Sequence, residues 1–401
     1  MKKIVLAFSG GLDTSFCVHY LKEKGYEVYA VTVDTGGFTP QELEKIKIRA
    51  KELKVKKYYA ADGKQDLYNK IVSYVIKANI LRGGVYPLCA GPERIIQATE
   101  VVKIAKGIGA VAIAHGSTGA GNDQVRFDVA INTLSPEIEA VAPIRELGIT
   151  REEEIEYLEK HGYKVEKTSK SYSINKGMLG TTIGGKETKD SWELPPDEVY
   201  TFVANIENAP KNGEEIIISF QNGLPVKING KTLSGIELMS CLDTLGAKHG
   251  VGKGVHLGNT ILGIKGRIAF EAPAALILIK AHKELEKLVL TKWQSFWKDI
   301  VSEAYGNFLH EGLYFDPVVK DIEALIDSSQ DVVTGDVKVK LHKGNIIVIG
   351  VKSPYSLMSK KVATYGEQNL LWTGQEAAGF SKIYGLQGVL AYKAKILGGE
   401  T

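Results

Sequence analysis

Ser9-Gly10-Gly11-Leu12-Asp13-Thr14-Ser15 joins a short apolar run, Lys3–Phe8, to a segment, Thr14–Lys24, whose apolar residues Val18 and Leu21 stand at helical spacing. Gly25 follows, a residue that ends helices well. The stretch therefore reads as a buried strand, a tight turn and a helix. Two adjacent glycines let the backbone turn sharply and approach a ligand closely. Free N–H groups at the helix start then point at an anion, aided by the helix dipole. The hydroxyls of Ser9, Thr14 and Ser15 add donors. No Gly-Lys-Ser/Thr follows, so the turn is not a Walker A loop, and it lacks the GxGxxG spacing of a dinucleotide fold. A plain strand-to-helix turn with a Ser cap is the bland alternative. Asp13 and Thr14 in this setting favour a phosphate site.

Outward from the loop, strands and helices alternate. Val28–Asp34 reads as a second strand. Thr39-Pro40-Gln41-Glu42 opens a helix with a cap, a proline in its first turn and a capping-box glutamate. Its apolar face is Leu43, Ile46, Ala50 and Leu53. Val111–Ala114 and Ala140–Ile144 read as further strands, and Thr150 with Glu153 caps another helix that ends near His161-Gly162. Such alternation implies an α/β domain with a doubly wound parallel sheet. From about residue 166 the pattern changes. Glu215–Phe220, Pro225–Ile228 and Val337–Leu341 read as strands joined by Asn-Gly and Lys-Gly-Asn turns, which predicts an α+β domain with antiparallel sheet. The expected divisions are 1–165, 166–360 and a tail, 361–401, that leans on another domain or subunit. Trp293, Phe296, Trp297, Ile300, Val301, Ala304 and Tyr305 share one helical face, read first as core and second as a subunit interface.

A second loop lies beyond Val111–Ala114: His115-Gly116-Ser117-Thr118-Gly119-Ala120-Gly121-Asn122-Asp123-Gln124-Val125-Arg126-Phe127. Ligands in open α/β sheets bind at the carboxyl ends of strands. A merely structural loop rarely gathers so many donors and acceptors. Composition narrows the partners. The 401 residues carry a net charge of +3, too weak a balance to argue for nucleic acid or an anionic membrane. Three cysteines, Cys17, Cys89 and Cys241, have no metal-like spacing, which suggests reduced thiols and a cytoplasmic location.

The first loop resembles the SGGxDS/T signature of the N-type ATP pyrophosphatases, and Phe8–Ser15 is similar to the AYSGGLDTS opening of argininosuccinate synthases. The second loop resembles that family's HGxTGxGNDQVRF signature. Tyr86-Pro87-Leu88, Tyr172-Ser173-Ile174, Gly246–Gly252 and Tyr384-Gly385-Leu386 extend the likeness over about residues 3–386. The resemblance implies an adenine-nucleotide α-hydrolase-like first domain and a ligase. A ureido oxygen of citrulline attacks ATP, releasing pyrophosphate, and the amine of aspartate then displaces AMP. It assigns ATP contacts to Ala7, Phe8, Ser9, Gly10, Gly11, Leu12, Asp13, Thr14, Ser15, Val33 and Gly116, with Mg²⁺ accompanying the ATP and Asp13 its natural neighbour. Aspartate falls to Thr118, Asn122 and Asp123. Citrulline falls to Tyr86, Gly91, Asn122, Arg126, Ser173, Thr182, Gly258 and Phe270. Asp13, Asn122 and Arg126 are the expected catalytic positions, no metal ligand is assigned with certainty, and the family is a homotetramer.

Three positions depart from the family pattern. Gly91 stands for a serine, Gly258 for a glutamate and Phe270 for a tyrosine, all at the amino-acid end of citrulline. Either Glu93 or Glu271 substitutes, or the ureido substrate is an N-acylated citrulline, with Lys280 a candidate partner for a succinyl carboxylate. A tRNA-thiolating enzyme and a non-catalytic nucleotide-binding scaffold are the competing classes. The first lacks paired cysteines and a basic stripe. The second is at odds with retention of Asp13, Asn122, Asp123 and Arg126.

Overall fold

In the computed structural model, which describes residues 1–165, 171–359, 371–396 and 398, the chain forms two compact units, Met1–Tyr355 and Ser356–Thr401. The expected boundary at residues 165–166 and the start of the tail at 361 fall at or beyond the edges of the described residues.

The first unit opens with a parallel sheet of β1 (Lys2–Ala7), β2 (Tyr26–Asp34), β3 (Lys57–Asp62), β4 (Ala112–Ala114) and β5 (Glu139–Val141), in the order β3-β2-β1-β4-β5. Alternation along β1 sends Ile4 and Leu6 to one core and Val5 to the other, so both faces are buried. The capping boxes at Thr39/Glu42 and Thr150/Glu153 both form, starting helices Pro40–Glu52 and Arg151–Lys160. One strand is shorter than its sequence suggests. β5 stops at Val141, because Pro143 opens a short helix, Pro143–Leu147, where its fixed φ and missing N–H are at home.

Two antiparallel sheets follow. One has the order β11-β12-β7-β6, built from β6 (Tyr172–Gly177), β7 (Gly180–Gly185), β11 (Lys253–Asn259) and β12 (Lys265–Glu271). The other has the order β10-β9-β8-β13-β14, from β8 (Glu214–Gln221), β9 (Leu224–Ile228), β10 (Lys231–Thr232), β13 (Gly335–His342) and β14 (Asn345–Lys352). Its hairpins turn at Asn222-Gly223, Asn229-Gly230 and Lys343-Gly344, each pair with two positive φ angles, such as 48° and 76° at the first. That is the mirror-image turn whose twist matches the strands, and it fixes the register.

Helix Lys292–Glu311 corrects part of the reading of the aromatic stripe as core. Trp293, Phe296, Trp297 and Ile300 are 62%, 49%, 56% and 46% exposed. The carboxyl-terminal part of the stripe is core as expected, with Tyr305 buried and Val301 and Ala304 packed against the core, and the helix also buries Lys298, Ser302, Gly306, Leu309 and His310. In the second unit, helices Gly374–Tyr384 and Leu386–Ile396 bury no residue.

Candidate active site

The phosphate loop lies at the carboxyl end of β1, which is the central strand. Gly10 takes φ +73°, a conformation that L side chains rarely adopt, and an added Cβ there would press on Ile46. Helix Leu12–Glu23 starts at Gly11, whose side chain offers no cap, so its first N–H groups remain available. The Ser9 and Thr14 hydroxyls lie 3.3 Å apart. Ser15 is different. It is buried, and its hydroxyl accepts from Arg49 Nε at 3.2 Å. Ala7 closes β1, Phe8 is buried and donates its N–H to Val31, and Val33 is buried in β2, so these three can offer a ligand mainly backbone.

The second loop meets the first. A Cβ on Gly116 would fall 3.1 Å from Thr14 Cγ2 and 3.4 Å from Asp13 Cβ, so any larger residue would press the two loops apart by a few tenths of an ångström. Asp13 stands in the first turn of its helix, half-buried rather than on an open loop. Its neighbour is Glu154, buried on helix Arg151–Lys160, whose carboxyl hydrogen-bonds Asp13. Burial, then the Asp13 charge, pushes Glu154 well above the usual carboxylate range. One Glu154 oxygen has no partner.

Behind the second loop, helix Asp123–Leu134 begins with an ionic cluster. Asp123 accepts from Arg126 Nη1 at 2.7 Å and from Arg94 Nε at 3.0 Å. These charges, led by Arg94, hold Asp123 below its ordinary value against the cost of burial. Arg126 also donates from Nε to the His310 carbonyl at 2.8 Å. The His310 ring faces guanidinium groups at both nitrogens, Arg126 Nη2 at 3.2 Å and Arg82 Nη1 at 2.6 Å. Burial, then Arg126 and Arg82, push His310 down to about 3, so the ring is neutral. Thr118 is at the exposed tip of the loop, its carbonyl accepting from Gly121. Asn122 Oδ1 accepts from Ile261 N at 2.9 Å, which ties the loop to the β11–β12 hairpin.

That hairpin supplies the facing wall. Register pairs Gly254 with Phe270, Phe270 with Thr182, and Thr182 with Asn175, while His256, Gly258 and Ser173 share the same face by alternation. Arg94 Nη2 reaches Asn175 Oδ1 at 3.5 Å and joins this face to the ionic cluster. Tyr86 is buried with its ring 5.3 Å from both His256 and Phe270.

The three departures are packed rather than open. A Cβ on Gly91 would lie 2.9 Å from Arg126 Cζ, and one on Gly258 would lie 2.6 Å from His256 Nε2. Phe270 is 1% exposed. The expected stand-ins are already engaged. Glu93 accepts from Thr35 Oγ1 and from Met178 N, both at 2.8 Å, and Glu271 Oε1 accepts from Phe202 and Val203 N–H groups. Lys280 is exposed on helix Pro273–Val289.

Arg82, Arg94, Glu154 and His310 had not been singled out from the sequence. Arg94 lies within a departing stretch and could have been found as a cation next to Gly91. His310 has no local signal, since its partner Arg126 is 184 residues away in the chain.

A five-stranded parallel sheet with a glycine turn after its central strand, closed by a second glycine loop, defines a nucleotide-binding protein of the HUP class. The family model described as "Arginosuccinate synthase N-terminal HUP domain" matches residues 3–164, and the "Arginosuccinate synthase C-terminal domain" matches residues 172–391. This chain belongs to the argininosuccinate synthase family. Among its relatives, the protein named argininosuccinate synthase of Methanocaldococcus jannaschii is 42% identical over 388 residues, covering 96% of this chain and 97% of the relative. The one of Pyrococcus furiosus is 43% identical over 391 residues, covering 97% and 94%. The one of Staphylococcus aureus strain MRSA252 is 41% identical over 387 residues, covering 96% of each.

Proposed function

We propose that this protein joins citrulline to aspartate at the expense of ATP, yielding argininosuccinate, AMP and pyrophosphate, as a step of arginine biosynthesis. The observation that carries the reading is the closure of the two glycine loops at Gly116 and Thr14, with the second loop running on into the Asp123–Arg94–Arg126 cluster.

The phosphate loop, Ala7 to Ser15 with Val33 and Gly116, holds ATP. Its backbone N–H groups stabilise charge on the departing pyrophosphate. Asp13, half-buried in the first turn of its helix, presents carboxylate oxygens of the kind Mg²⁺ takes, and the ion would neutralise phosphate charge there. Tyr86, Gly91, Arg126, Ser173, Thr182, Gly258 and Phe270 line the citrulline position. Arg126, fixed on three sides, orients the substrate so that its ureido oxygen meets the α-phosphorus. The bond from that oxygen to phosphorus forms as the bond to pyrophosphate breaks. Thr118, Asn122 and Asp123 receive aspartate. Its amine attacks the ureido carbon, the C–O bond breaks, and AMP leaves with the oxygen. Asn122 serves both substrates and also anchors the β11–β12 hairpin, which makes it a hinge between the two sites.

The division into a nucleotide domain (1–165), a synthetase domain (166–360) and an oligomerising tail (361–401) belongs to the same proposal. So does a homotetramer, supported by the uncovered aromatic face of helix Lys292–Glu311 and by the two tail helices that bury nothing. Among the described residues no helix is long and apolar enough to cross a membrane, in keeping with a cytoplasmic enzyme that serves small molecules rather than nucleic acid.

The test is product analysis with the purified protein. AMP and pyrophosphate should appear together only when ATP, aspartate and a ureido acid are all present. A panel of citrulline, N-acetylcitrulline and N-succinylcitrulline decides the form of the substrate. Turnover without aspartate, or none with any ureido acid, would reject the reading.

A further inference from the structure

Among the described residues, one group of three potential metal ligands brings its ligand atoms within 4.8 Å of one another: His19, Glu23 and His161. It lies away from the loops described above. His19 and Glu23 are one turn apart near the carboxyl end of helix Leu12–Glu23, and His161 caps the end of helix Arg151–Lys160. We propose that these three side chains form a binding site for a divalent transition-metal ion of the zinc type, clamping together the two helices that carry Asp13 and Glu154.

The spacing suits the ion. Tetrahedral bonds of about 2.0–2.2 Å place neighbouring ligand atoms roughly 3.3–3.6 Å apart. His161 Nε2 lies 3.3 Å from Glu23 Oε1, and His19 Nδ1 lies 3.8 Å from the same oxygen. The third pair, His19 and His161, has its ligand atoms within 4.8 Å, and Glu23 is the most exposed of the three side chains and the one freest to adjust. The two imidazole rings are 4.1 Å apart at their centroids.

The hydrogen bonds orient the ligands. His161 Nδ1 lies 2.7 Å from the Tyr157 carbonyl, which can only accept, so Nδ1 carries the proton. The Nε2 of a neutral His161 is then a lone pair aimed at a carboxylate oxygen. Two acceptors facing each other at that distance require a cation between them, either a proton or a metal. Metal-bound histidines commonly donate their other N–H to a backbone carbonyl in this way. Tyr157 donates its hydroxyl to Glu23 Oε2, so its oxygen accepts from His19 Nδ1–H at 2.9 Å, a hydrogen bond whose proton the ion would displace on binding Nδ1. Two imidazoles and one carboxylate favour Zn²⁺, Co²⁺ or Ni²⁺ over the Mg²⁺ that accompanies ATP. Three protein ligands leave a position for water, and the partial exposure of His19, Glu23 and His161 gives the ion an entry path.

The test is calorimetric titration of the full chain with Zn²⁺ in excess Mg²⁺, with Co²⁺ absorption as a second probe. One Zn²⁺ should bind per chain and raise the thermal midpoint. His19→Ala and His161→Ala should each weaken binding by more than the roughly 10–100-fold typical of losing a group that only supports a ligand. Glu23→Gln, which keeps the hydrogen bond to Tyr157, should also weaken it. All three variants should retain ATP-dependent turnover in the absence of Zn²⁺, since none touches the substrate positions. Equal Zn²⁺ affinity in the histidine variants would overturn the assignment, as would Zn²⁺ binding abolished only by Cys241→Ser, which would give the ion to a thiol. No binding by the parent chain would also overturn it.

Discussion

Gly91 lies flat against the guanidinium group of Arg126, so close that a Cβ at position 91 would fall 2.9 Å from Cζ. Arg126 cannot readily step aside, because Asp123 holds Nη1 and the His310 carbonyl holds Nε. Loss of the family's serine is thus coupled to the placement of Arg126, the cation proposed to orient the ureido substrate. Gly91→Ser should displace that cation. Overpacking of this kind typically costs about 1–3 kcal/mol, and kcat/KM for the ureido acid should fall by roughly tenfold for each 1.4 kcal/mol lost in the transition state. Steady-state kinetics on the two proteins decides it. A serine variant as active as the parent would mean that Arg126 moves freely.

Asp123, the proposed aspartate contact, also holds two arginines, and this changes what its removal should do. As an aspartate contact alone, Asp123→Asn would spare adenylation and slow the second step. Yet Asp123 is also the shared anion of Arg94 and Arg126. Asp123 is only half-buried, so removing its charge costs less than in a fully buried pair, on the order of the 1.5–3 kcal/mol of a hydrogen bond to a charged group. Both steps should therefore suffer, with the enzyme-bound adenylate burst and the steady-state rate each reduced by at least tenfold. An undiminished burst with slow turnover would show that Arg126 keeps its place without Asp123.

Glu93 gives the fold a pH dependence. Burial lifts its carboxyl to about 8, so the folded chain keeps a proton that the unfolded chain gives up near its ordinary value of 4.5. Its contribution is fully present below pH 4.5 and is lost as pH rises through about 8, on the order of a few kcal/mol in all. Glu93→Gln removes the titration. A glutamine amide can donate to Thr35 Oγ1 and its oxygen can still accept from Met178 N, so the variant should be as stable as the parent at pH 5 and more stable at pH 9. Unfolding midpoints across that range are the measurement. Parallel curves for the two proteins would refute the role of Glu93.

Much of this was legible from local signals. The phosphate loop, the capping boxes at Thr39 and Thr150, and the Asn-Gly hairpins each depend on a few adjacent residues, and each formed where the sequence put it. The aromatic face of Trp293, Phe296 and Trp297 was misread because helical periodicity reports which residues share a face, not whether the same chain covers it. β5 was read too long because the apolar residues continue past Val141 while Pro143 starts a helix. The wall of the site was the least legible. Arg82, Arg94 and His310 meet Arg126 only after distant segments pack. Gly91 and Gly258, where the family's serine and glutamate are lost, lie against Arg126 and His256, which no local signal shows. Such close contacts give an acyl group no ready-made room at either glycine.

In the proposed reaction the ureido oxygen attacks the α-phosphorus of ATP and leaves with AMP. Citrulline labelled with ¹⁸O in its ureido group, turned over with ATP and aspartate, tests this directly by mass spectrometry of the products. The label should appear in the phosphate of AMP, with none in pyrophosphate. Label found in pyrophosphate or in inorganic phosphate, or AMP released without it, would contradict attack at the α-phosphorus by the ureido oxygen.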